Sequence, residues 1–176
     1  IMKAKAEAIN TVFTGAKALI DVDTTEVTYY SDATEWKKEQ NMNDKAEILC
    51  WPMFGLGDYI FHASVHAAGL MAATDSDNGG CPAESPSNKT LQIDRACLAD
   101  GTTVLLDLNQ ANYLNSNGIV TALNFIGGYV LWGNETACYP ADTDVKNYFI
   151  SVSRMFGWVA NSLVLSYWNK IDKKMT

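Results

Sequence analysis

The sequence predicts an α/β (α+β) domain, a mixed β-sheet flanked by helices, with residues 1–176 forming one unit. Three observations carry this. Two long segments have helical apolar periodicity, one near each end of the chain. Several short apolar runs are bounded by glycine or proline and have strand length. Helices and strands do not alternate strictly, so a regular doubly wound sheet is not implied.

The first helix is expected over residues 4–20, AKAEAINTVFTGAKALI, where Ala6, Ile9, Val12, Phe13, Ala16, Leu19 and Ile20 make an i, i+3, i+4, i+7 stripe. A short strand is expected around Val27–Tyr30, and Asp32 with Glu35 three residues on is a helix-start signature. AEILCWP, residues 46–52, is a continuous apolar run ended by Pro52 and suits a buried strand. Residues 58–62 predict another strand after a turn at Gly55 and Gly57. Ser64 is the expected N-cap of a helix over VHAAGLMAATDSDN, which Asn78-Gly79-Gly80 stops.

CPAESPSNKT must be loop. LQIDRACL predicts a strand, with a turn at Gly101 and a second strand in TTVLL. Residues 107–114 suit a short helix ended by Asn117-Gly118, and Ile119 onward and Tyr129–Trp132 are two further strands. The longest helix is expected over about 146–170, with Val152, Phe156, Val159 and Leu163 as its inner seam and Met155, Ser162 and Tyr167 beside it.

Charge excludes one class of partner. A net charge of −7 with thirteen scattered basic residues gives no footprint for nucleic acid, because phosphate binding needs clustered Lys and Arg. No apolar stretch reaches the ~18 residues of a membrane span, so no membrane insertion is expected. The opening IMKAKAEAIN has no apolar core or cleavage motif and is not read as a secretory signal. Cys50, Cys81, Cys97 and Cys138 include no C-x-x-C pair and are expected as free thiols.

Catalytic sets are tested next. His62 and His66 are four apart, but Ser64 lies between them at the expected helix start, and no glutamate follows His62 as a hydrolytic zinc helix needs. Hydrogen-bonded histidines are the simpler reading. No serine sits in a G-x-S-x-G elbow, and the paired carboxylates Asp21/Asp23 and Asp75/Asp77 flank turns or helix ends, where solvation explains them.

The glycines of NFIGGYVLWGNET fail as a phosphate loop: Asn134 and Glu135 follow Gly133 where Lys and Ser/Thr are required, and the carboxylate would repel phosphate. A tight glycine bend and close approach between two strands is expected instead, with Trp132 carried into the core. No catalytic residue, cofactor or metal site is expected.

Two long stretches carry a resemblance. AEILCWPMFGLGDYIFHASVHAAGLMAATDSDNGGCPAESPSNKTLQI contains Trp51-Pro52, then H-x-A-G-x-x-A-x-T-D with Gly69 and Asp75, then P-S-N-K with Pro86 and Asn88. SNGIVTALNFIGGYVLWGNETACYPADTDVKNYFISVSRMFGWVANSLVLSYWNK contains Trp132-Gly133, Thr136 and Arg154. In order and spacing these pieces resemble the core of contractile tail sheath proteins of bacteriophages and phage-tail-like bacteriocins. The likeness covers about residues 17–174.

Two positions depart from the family pattern. Glu135 stands where sheaths usually carry arginine, and Ser153 stands where a second basic residue often precedes Arg154. The resemblance implies a structural, non-enzymatic subunit: the core domain of a longer chain, with the strand-exchanging terminal arms absent from this sequence. A start on Ile1 and an end on Thr176 fit an excised piece.

It further implies homo-oligomeric six-fold rings of sheath subunits around an inner tail tube protein, triggered by a baseplate and driving the tube through a target envelope without a nucleotide. The location implied is a virion tail or phage-tail-like particle assembled in the bacterial host cytoplasm. The competing readings are a soluble enzyme or a binding domain with a site near His62 and His66.

Overall fold

A computed structural model describes residues 2–12, 48–82, 84–98 and 100–170. The described elements are helix α1 (Met2–Val12), strands β1 (Leu49–Cys50), β2 (Met53–Leu56) and β3 (Tyr59–Phe61), and helix α2 (Ala63–Asp77). Strands β4 (Thr90–Leu91) and β5 (Arg95–Cys97), helix α3 (Leu108–Ser116), strands β6 (Ile119–Phe125) and β7 (Gly128–Trp132), and helix α4 (Ile150–Tyr167) follow. The expected continuation of the first helix to residue 20, the strand at 27–30 and the helix start at Asp32 lie outside the described residues.

The strands form two sheets. A four-stranded mixed sheet has the order β1-β6-β7-β4, with β1 parallel to β6 and the other pairs antiparallel. A three-stranded antiparallel sheet has the order β3-β2-β5. The α+β architecture read from the sequence holds, with two small sheets where one was expected.

The chain passes from one sheet to the other at two places. The run at 46–52 supplies β1 to the first sheet and stops at Trp51-Pro52 (a cis peptide), as expected, and β2, a strand not expected from the sequence, starts at Met53 in the second sheet. The run at 91–98 likewise leaves the first sheet at Leu91 and enters the second at Arg95. Burial is continuous through the first crossing, where Cys50, Trp51, Met53 and Phe54 are all buried, whereas Gln92 and Asp94 of the second are exposed. Gly55 lies inside β2, opposite Ile60 and Arg95, so the turn is made by Gly57 and Asp58 alone. The second strand expected in TTVLL is reduced to a single bridge between Cys97 and Thr103.

β6 is the central strand. Residues 119–123 are buried in succession, as a strand covered on both faces requires. Ile119 joins a cluster with Ile9 and Val12 of α1, Trp51, and Leu114 of α3. Val120 and Ala122 join the other cluster, with Phe54, Ala67 and Met71 of α2, Leu131, and Ile150. α1 and α3 therefore cover one face of the sheet and α2 the other. α3 starts on a capping box: Asp107 accepts from the Gln110 amide at 2.8 Å, and Gln110 accepts from the Asp107 amide at 3.0 Å.

Three further expectations are corrected. α2 begins at Ala63 with His62 as N-cap, so Ser64 lies within its first turn. The last helix begins at Ile150, because Val145–Asn147 is a separate 3-10 turn capped by the Asp144 carboxylate. Its expected inner seam is not buried: Val152, Phe156, Val159 and Leu163 are exposed, and of its residues only Ile150 is fully enclosed.

Candidate functional site

The residues singled out by motif converge where β7 ends. After Trp132 the chain runs as a strap along the segment leading into α4. The Thr136 amide donates to the Tyr148 carbonyl at 2.9 Å, Glu135 bridges Phe149, and the Ile150 amide donates to the Asn134 carbonyl at 2.6 Å. The buried Thr136 hydroxyl donates to the Asn147 carbonyl at 2.5 Å. Asn134 adds a side-chain clasp: its Oδ1 accepts from the Ser151 amide at 3.2 Å and its Nδ2 donates to Ser151 Oγ at 3.1 Å. It thus accepts from one of the amides that the first turn of a helix leaves unpaired. Motif reading missed Asn134, because its partner Ser151 lies seventeen residues on and only the folded strap brings them together.

The P-S-N-K loop lies on the other side of β7. Asn88 has φ 67, and its amide donates to the Leu131 carbonyl at 2.7 Å. The Leu131 amide returns a bond to the Lys89 carbonyl at 2.8 Å, and the Gly133 amide donates to Ser87 Oγ at 3.2 Å. Pro86 is buried beneath this loop. Gly133 has φ 128, and a Cβ there would meet the Asn115 carboxamide of α3, so close backbone approach is the role its glycine serves. Gly127, with φ 82, makes the hairpin bend.

Asp75 and Arg154, seventy-nine residues apart, form a two-point ion pair joining the end of α2 to the first turns of α4. Its Nη1–Oδ1 arm is 3.3 Å. A fork-to-carboxylate geometry fixes direction as well as distance. Together with the Asn134 clasp and Ile150, it anchors the N-terminal end of α4.

Trp51 and Pro52 are buried at the crossing between the sheets and do not join this cluster. Gly69 lies on the exposed face of α2, with open space above it. Trp132 does not enter the core: β7 sends Tyr129 and Leu131 inward, and Trp132 is half-buried with its indole N–H donating to Asn112 Oδ1 at 2.9 Å. The alternation of a strand decides this, since Trp132 is one residue out of phase with Leu131. Glu135 turns its carboxylate back onto the strap, accepting from the Asn134 amide at 3.1 Å.

A second anchor holds α1. Lys5 is 3% exposed, and its ammonium donates to the carbonyls of Asn117 and Tyr139, the latter at 2.8 Å. Burial lowers its pKa to about 8, opposed in part by Cys138. The group approaches Gly118, where φ is 71 and a Cβ would lie 2.5 Å from the Thr136 carbonyl.

His62 and His66 border an open groove of about 650 Å³, lined by Ile60, Phe61, Val65, Gly69 and Leu70 among others. His66 packs its ring on Phe54 and Phe61, with centroids 5.8 and 5.3 Å away, and partial burial lowers its pKa. Among the described residues no group of three or more His, Cys, Asp or Glu side chains is placed to hold a metal ion. The groove therefore presents an apolar wall and a packed imidazole. Cys50, Cys97 and Cys138 are buried thiols and Cys81 a partly exposed one, and none of the four is in a disulfide.

No protein-family model matches the chain. The chain is similar to a tail sheath protein of Burkholderia phage BcepMu, at 34% identity over 109 residues, covering 57% of this chain and 22% of the phage protein. Its fold is shared with a chain of the six-fold symmetrised baseplate of the anti-feeding prophage (TM-score 0.58, 21% identity, 72% of this chain and 32% of that one). It is also shared with the sheath complex of an extracellular contractile injection system in the contracted state (TM-score 0.56, 18% identity, 73% of this chain and 34% of that one). The contracted helical sheath of the anti-feeding prophage gives a TM-score of 0.58 at 20% identity, over 73% of this chain and 34% of that one. The chain spans about a fifth of the phage relative and about a third of the solved sheath and baseplate chains.

Proposed function

We propose that this chain is the core domain of a contractile sheath subunit, which polymerises around an inner tube and shortens to drive that tube through a cell envelope. The observation that carries the proposal is the sequence match to a phage tail sheath protein over 109 residues, on a fold shared with subunits of contractile particles. The geometry agrees with a mechanical role. Most of its motif residues tie strands, straps and helices to one another.

The stroke would draw on subunit contacts that improve in the contracted state, a two-state packing switch that needs no nucleotide and no catalytic residue. Six-fold rings, a tube protein and a baseplate are the partners of this reading, in a virion tail or phage-tail-like particle assembled in the bacterial cytoplasm. The short outer strands β1 and β4 of the larger sheet are places where strands from neighbouring arms would add.

Negative-stain microscopy of the full-length protein with its tube partner tests this: hollow, transversely striated cylinders are expected. A protein that stays monomeric under all conditions, and shows a hydrolytic activity abolished by His66→Ala, would overturn it.

A further inference from the structure

We propose that α4 is buried in cis, against an apolar layer supplied by further polypeptide of the same subunit, before that subunit meets any neighbour. The proposal rests on the sheath reading for the existence of a longer parent chain. From Met155 to Trp168 there is no charged residue. At 100° per residue, Phe156 and Leu163 point one way, Trp158 and Leu165 nearly opposite, and Val164 and Trp168 to a side between them. These side chains stand in water in the described structure: Leu165 is 81% exposed, Trp168 72% and Phe156 57%.

A helix that is apolar all round belongs to the interior of a larger protein or to a membrane. No described helix is long and apolar enough to cross a membrane. A contact surface between subunits that fold first and assemble later has a different pattern, an apolar centre with a polar rim. Left open until assembly, α4 would make the free subunit aggregate.

Length supplies the cover. The matched region is 22% of the phage relative and about a third of the solved sheath chains, so subunits of this kind hold ample further polypeptide. Anchorage points the same way. Ile150, the Asn134 clasp and the Arg154–Asp75 pair fix the first turns of α4, and its remaining length projects with a fixed direction. A preset rod is what a second layer of the same chain can close upon.

The test compares the 176-residue chain with the full-length subunit kept monomeric by dilution. Amide hydrogen exchange over residues 156–168 should be about tenfold slower or more in the full-length monomer. Leu165→Lys should raise the solubility of the 176-residue chain while lowering the thermal midpoint of the full-length monomer. If the full-length variant does not fold, the exchange comparison on the unaltered proteins decides.

Equal exchange in both proteins, with slowing only once cylinders form, would overturn the proposal and assign the cover to a neighbour or the tube. So would a gene product that ends with the chain itself. Protection in a full-length monomer that never forms cylinders would uphold the cover and remove the sheath reading instead.

Discussion

β6 and α4 are built from similar material and have opposite fates. Both are rich in branched and aromatic apolar residues, yet residues 119–123 of β6 are buried in succession, whereas α4 buries Ile150 alone. β6 has α1 and α3 on one face and α2 on the other. α4 is held at one end, by an ion pair and a side-chain clasp. Apolar composition states what must be covered. Which element does the covering is a property of the assembled fold, and the two regions differ in that alone.

The sharpest way to test the contrast is one substitution made in both regions. Gly118 leads into β6 with φ 71, and a Cβ there would lie 2.5 Å from the Thr136 carbonyl and 2.7 Å from the Tyr139 carbonyl. Backbone oxygens in a packed strap cannot retreat, so Gly118→Ala should cost about 4 kcal/mol. Gly157 sits in the exposed stretch of α4 with open space where a Cβ would go. Gly157→Ala should stabilise by ~0.5–1 kcal/mol through helix propensity. Urea unfolding of the two variants measures both, and equal signs would break the contrast.

Lys5 sharpens the buried side. The unfolded chain releases this proton near 10.5 and the folded chain near 8, lowered by burial. Between these values the unfolded state holds more protons, so stability rises as pH climbs through 8 and levels off above 10.5. The gain should be on the order of 1–3 kcal/mol. Lys5→Met should flatten that slope in unfolding curves taken across this range. A slope unchanged in the variant would mean that another group titrates.

Much of this was legible in the sequence, and the misses share a cause. The hairpin at Ile126-Gly127, the stop at Asn78-Gly79-Gly80 and the start of α3 at Asp107 were legible because glycine conformation and capping chemistry act locally. The stop at Pro52 was legible too, but the break at residues 92–94 was not, because Leu91 and Ala96 are both apolar and buried and tertiary pairing assigns them to different sheets. Trp132 was misplaced by size: strand alternation gives the inward position to Leu131. The seam of α4 was read correctly as apolar and wrongly as covered. Within the site, the motif named Asp75 and Arg154 without showing that they pair, and it passed over Asn134, whose role exists only against the first turn of α4.

That pair gives a smaller test of how α4 is held. Arg154→Met should cost about 1–2 kcal/mol, since it leaves a half-buried Asp75 carboxylate without its fork. In a double-mutant cycle with Asp75→Asn, the coupling should be about 1 kcal/mol. A cycle that closes without coupling would leave the Asn134 clasp and Ile150 as the anchor.

The smallest effect is expected at the tip of the β6–β7 hairpin, where apolar side chains are exposed as they are on α4. Ile126 occupies the first central position of the β6–β7 turn with φ 48 and is 90% exposed. A two-residue turn with both central residues left-handed favours Asn-Gly, and a β-branched side chain is strained there. Ile126→Asn should therefore stabilise the chain by ~0.5–1 kcal/mol, read as a rise in the urea midpoint at constant slope. A loss of stability would show that Ile126 packs within the fold, and would extend the covered region to the tip of the hairpin. A gain paired with weaker assembly of the full-length protein would place the tip with α4, as apolar surface whose partner lies elsewhere.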